Sequence, residues 1–104
     1  MILTTTQNIE GRTITEYVGV VSGEAFENQA FRGHRSYVPT LSKARMMALS
    51  QLEEQASNLG ADAVVGISID FELIDMSSGI LVYASGTAVK MSEIKFKSNK
   101  LVAL

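Results

Sequence analysis

The chain carries one histidine and no cysteine among its 104 residues, so thiol chemistry and soft-metal chemistry have few donors to work with. Thiol catalysis, zinc ribbons, iron–sulfur ligation and disulfide cross-links are excluded together. Nucleophilic catalysis needs a hydroxyl with a base beside it, and His34 near Ser36 is the single pairing of that kind in the sequence. Residues two apart in a loop seldom form such a pair, and no carboxylate stands nearby in sequence to orient the imidazole. No catalytic residue is assigned, and no enzymatic activity is expected. Gly19, Gly23 and Gly33 match neither the phosphate-binding loop nor the dinucleotide fingerprint, and no cofactor is indicated.

Asp70 and Glu72 are the residues best spaced for binding an ion. Two apart in an extended stretch, they point two oxygen donors the same way, which suits a hard cation, and symmetry about an oligomer axis would multiply the pair. Alternation along an amphipathic strand also puts acids on its polar side with no ligand involved. With His34 they make up the metal-ligand candidates: Asp70, Glu72 and His34. Without cysteine, their affinity for zinc or copper would be modest. The adjacent Met46 and Met47 suit a pliable contact surface or ordinary packing.

Charge and composition narrow the partners. Nine Lys and Arg against eleven Asp and Glu give a net charge of −2, so neither nucleic acid nor an anionic membrane is an expected partner. Residues 46–75 hold six acids and no Lys or Arg, whereas Lys95, Lys97 and Lys100 cluster in the last stretch. A hydrophobic share of 46% with 19% charged residues is too apolar for disorder, yet no apolar run approaches the roughly 18–20 residues that span a bilayer. One soluble domain with one core is expected. The first eight residues lack the charged start and apolar run of a signal peptide, so the expected location is cytoplasmic.

The elements that must position these residues follow from periodicity. Residues 13–22, rich in Ile, Thr, Tyr and Val, predict a strand. Residues 23–39 show no clean period; a short helix around 24–31 and then a loop are expected, with Pro39 as a boundary. From Thr40 or Ser42, either of which can cap the start, Leu41, Ala44, Ala48, Leu52, Ala56 and Leu59 recur every three or four residues and predict one long helix. Gly60 stands where a helix reverses, ending it near Asn58 or Leu59. Residues 63–74 and 80–92 then predict a hairpin around a five-residue loop. In its first strand Val65, Ile67, Ile69, Phe71 and Leu73 share one face, opposite Gly66, Ser68, Asp70 and Glu72.

The second hairpin strand is apolar on both faces: Ile80, Val82, Ala84 and Ala88 on one, Leu81, Tyr83, Val89 and Met91 on the other. A single helix covers only one face of a small antiparallel sheet. Ala84, Gly86 and Ala88 suit the side where a helix packs closely, so Tyr83, Val89 and Met91 are expected to face a neighbour. The expected state is a homo-oligomer.

Several segments carry a family resemblance in the same order along the chain. They are Thr4-Thr5-Thr6, Gly11, the Gly-Val-Val-Ser-Gly-Glu within residues 17–24, Gly33-His34-Arg35-Ser36, Gly60-Ala61-Asp62-Ala63-Val64-Val65-Gly66-Ile67 and Ala84-Ser85-Gly86-Thr87-Ala88-Val89. Together they resemble the YbjQ-like family of small bacterial proteins. The resemblance implies an α+β, two-layer, dodecin-like subunit in which a strand, a helix and a β-hairpin form an antiparallel sheet on one long helix. It implies a ring-shaped oligomer, typically a pentamer, in a family of unknown function often labelled as heavy-metal-binding. This chain departs from the family pattern at four places: the stretch before the Gly-Gly-Arg-Ser loop is shorter, His34 replaces the second glycine, the loop toward the helix carries Pro39, and residues 93–104, a basic extension to the domain of residues 1–92, have no counterpart. A small ligand or metal ion held between subunits is the expected kind of partner.

Overall fold

The computed structural model describes residues 1–28, 38–75 and 79–92. Its elements are β1 (Ile2–Leu3), β2 (Ile14–Asn28), α1 (Val38–Asn58), β3 (Ala63–Asp75) and β4 (Gly79–Met91). They form an α+β fold, a four-stranded sheet in the order β1-β3-β4-β2 with the helix on one face. The long strands pair antiparallel, but β1 pairs parallel with the start of β3, so the sheet is mixed where an antiparallel one was expected. Two residues carry no readable period, which is why β1 left no signal in the sequence.

β2 runs on to Asn28, through residues 24–28 of the stretch where a short helix was expected; the rest of that stretch and the loop after it lie outside the described residues. The reason lies in pairing. Residues 22–28 lie opposite 79–85 of β4, while Val21, Gly23 and Ala25 bury alternately beneath the helix. The helix starts at Val38, so Pro39 sits in its first turn, where a missing amide costs nothing, and Thr40 and Ser42 lie inside the helix. It ends at Asn58 as expected. The amides of Gly60 and Ala61 donate to the carbonyls of Ser57 and Ala56, the paired bonds of a Schellman motif.

Ala44, Ala48, Leu52 and Ala56 form the fully buried stripe of the helix, while Leu59 lies past its end and is exposed. The helix comes very close to β2. A Cβ on Gly23 would run into the Ala48 carbonyl and stand 2.7 Å from the Leu52 amide nitrogen, so only glycine fits under this crossing.

One glycine in β3 reverses part of the expected facing. Gly66 has a φ of 62°, and the pairing with β4 steps from Val65–Thr87 to Ser68–Ser85, so an extra residue is inserted on β3. This bulge with a left-handed glycine moves every later side chain to the opposite face from a simple alternation. Ile67 packs under the helix with Val64, Leu52 and Ala84, whereas Val65, expected beside Ile67, packs on the far face with Ala63, Val89 and Met91.

The far face is partly covered from within the chain. Ile9 and Ile14 close over Ala63, Val65, Val89 and Met91, so Val89 and Met91, expected to face a neighbour, are buried in their own subunit. Ser92 is held at this end by Thr13, whose amide donates to its hydroxyl at 3.0 Å, and by the Arg12 Nε, which donates to its carbonyl at 2.8 Å. Among the described residues no helix is long and apolar enough to cross a membrane.

Candidate functional site

The far face beyond Ile9 and Ile14 is a ladder of cross-strand rows, and the register gives their composition directly. Val65, Thr87 and Val20 form one row, followed by Ser68, Ser85 and Ser22. Next come Asp70, Tyr83 and Glu24, and then Glu72, Leu81 and Phe26. Residues directly opposite in a ladder share a face, so a patch of hydroxyls and carboxylates surrounds Tyr83. Val20 is 78% exposed, Phe26 50% and Tyr83 40%, which leaves large apolar surface at the margins of that patch.

The helix side of β3 is bare as well. The helix lies over β2 and β4, so Ile69, Phe71 and Leu73 remain exposed beside it. Leu41, Arg45, Ile69, Phe71 and Val82 line a mostly apolar groove of about 290 Å³. Outer β3 therefore presents an apolar row on one face and Asp70 with Glu72 on the other.

The structure brings Asp70 and Glu72 together as expected, both exposed on one face. Glu24 stands beyond Tyr83, two strand spacings or about 10 Å from Asp70. His34 lies outside the described residues. Among the described residues no three His, Cys, Asp or Glu side chains gather as a metal site. With no cysteine in the chain, the described donors on this face are carboxylates and hydroxyls, which do not fit a heavy-metal centre. Met46 and Met47 are exposed on the helix.

The serine row left no signal in the sequence. Ser68 stands on the expected polar side of its strand, but only the register across β4 places it and Ser22 beside Ser85. The threonines of the first motif have structural work. The carbonyls of Thr6 and Thr4 accept the amides of Gly66 at 2.8 Å and Ile67 at 3.1 Å, satisfying the backbone that the bulge frees. Asp62, in the helix-to-strand motif, accepts the Met91 amide at 2.8 Å and ties the turn to the end of β4.

A protein of unknown function from Pediococcus pentosaceus, of the DUF74 family, has a similar fold. The TM-score is 0.70 at 19% identity, covering 88% of this chain and 98% of that one. At that identity the likeness is one of fold alone. A family sequence model described as "Putative heavy-metal-binding" matches residues 1–92, the span from β1 to the Ser92 clasp. The motif segments that shape the bulge, the helix end and the β4 packing lie inside that span, and the chain belongs to the YbjQ-like family.

Proposed function

We propose that this protein is a non-enzymatic cytoplasmic homo-oligomer with a dodecin-like subunit, assembled as a pentameric ring, that takes a small ligand or ion between subunits. The observation that carries this reading is the far face of the sheet. Val20, Phe26 and Tyr83 stay exposed on it beyond the part that Ile9 and Ile14 cover. An exposed apolar surface rimmed by polar groups is the ordinary signature of an interaction site. Packing this face against a neighbour would bury Tyr83 and bring the serine row and Asp70 to the subunit boundary. Hydroxyls and carboxylates there favour a polar ligand or a hard cation.

A second reading, metal buffering through Asp70, Glu72 and His34, is favoured by the shared face of the two acids and by the family description. Native mass spectrometry with and without added divalent ions separates the two. The first reading expects an oligomer that assembles without metal and binds any ion only when assembled. Metal bound stoichiometrically by the dissociated subunit, and lost on Asp70→Asn with Glu72→Gln, would establish the second. Tyr83→Glu should dissociate the ring, and an intact oligomer would show that this face is not the contact.

A further inference from the structure

The outer half of β3 is open in three respects at once. Its helix-side residues Ile69, Phe71 and Leu73 are 36%, 53% and 46% exposed. Its far side carries Asp70 and Glu72. Its backbone edge is also free among the described residues: β1 pairs only with Ala63 and Val64, and the bonds from Thr4 and Thr6 reach no further than Ile67. The direction of the free groups follows from the ladder. The Ser22 and Glu24 amides point outward to glutamines of the helix, so Gly23 pairs inward with Ala84, and Ser85 turns toward Ser68. Alternation then leaves the N–H and C=O groups of Ile69, Phe71 and Leu73 directed outward.

A strand that fits this edge needs one apolar face, one cationic face and a free backbone. The sequence holds such a segment in Ile94-Lys95-Phe96-Lys97, which lies beyond the residues matched by the family. Ile94 and Phe96 alternate with Lys95 and Lys97, the period of a strand with one apolar and one basic face. We propose that residues 94–97 of one copy add as a strand to the outer edge of β3 in a second copy. Ile94 and Phe96 cover Ile69, Phe71 and Leu73 while Lys95 and Lys97 meet Asp70 and Glu72.

The donor is a second copy for reasons of reach. Ala84, the partner of Ile69, lies eight residues before Ser92, about 26 Å back along β4. Phe96 is four residues beyond Ser92, about 14 Å of fully extended chain, and so falls short of its own Ile69. The inference rests on the oligomeric reading in that donor and acceptor are separate copies, but it uses the β3 edge and not the Tyr83 face.

The chain has no native cysteine, so introduced thiols report this contact without background. Full-length Phe71→Cys protein, and separately Leu73→Cys protein, is mixed with full-length Ile94→Cys, Phe96→Cys or Lys95→Cys protein under mild oxidation. Products are read by non-reducing mass spectrometry, with light scattering on the same samples before oxidation. The expected result is inter-chain cross-linking to Ile94→Cys or Phe96→Cys about tenfold above that to Lys95→Cys, reduced severalfold when the acceptor also carries Glu72→Lys. Equal yields at all three donor positions overturn the proposal. Oligomers without a cross-link overturn this contact and leave the oligomeric reading standing; monomers overturn both.

Discussion

The two edges of the sheet are treated in opposite ways. On β2 the helix that covers the face also closes the edge: Gln55 Oε1 accepts the Ser22 amide at 2.8 Å and Gln51 Oε1 accepts the Glu24 amide at 2.9 Å. On β3 nothing among the described residues plays that part beyond Ile67, and the row of apolar side chains next to that edge is exposed. Open strand edges invite pairing with other chains, and folded proteins ordinarily blunt them. Among the described residues two glutamines cap one edge while the other is open, the arrangement that the proposed strand addition requires.

Loosening the helix should uncover the β2 edge most completely. Leu52 is fully buried between the helix and the sheet, and Leu52→Ala should cost about 3 kcal/mol, seen as a lower urea midpoint at constant slope. A change below about 1 kcal/mol would mean that the helix is not the principal cover of β2. Gly23→Ala should come next, at about 2 kcal/mol, because the added methyl meets helix backbone that cannot turn aside. Neutral behaviour in thermal unfolding would show that the helix does not cross there so closely.

Removing the edge caps sharpens the comparison more gently. Gln51→Ala with Gln55→Ala should cost about 1–2 kcal/mol in total and expose two β2 amides. The double variant should also associate more strongly on concentration, by sedimentation velocity, since it now has two open edges. Unchanged association would show that the glutamines guard nothing. The smallest effect belongs to Lys43→Ala. Its Nζ lies 3.6 Å from Glu27 at the surface, a pair expected to contribute about 0.5 kcal/mol or less.

The helix, its end at Asn58 and the hairpin were legible because each has a local cause: a repeating stripe, a glycine at the reversal, alternation about a turn. The same alternation misled at Val65. A glycine on the polar side of a strand reads as one more small residue, and only the bonds from Thr4 and Thr6 show that Gly66 holds a bulge. The covering of Val89 and Met91 was illegible for a related reason. Ile9 and Ile14 flank an irregular stretch whose path over the sheet has no period. Asp70 and Glu72 could be placed on one face from spacing alone, but the serine row beside them depends on the register of three strands, a long-range property.

The most direct test of this asymmetry is residue-resolved amide hydrogen exchange of the native protein over a range of dilution. Ser22 and Glu24 should keep the same protection at every concentration, while Ile69, Phe71 and Leu73 should lose theirs as the protein is diluted. Equal protection at both edges, independent of concentration, would contradict it.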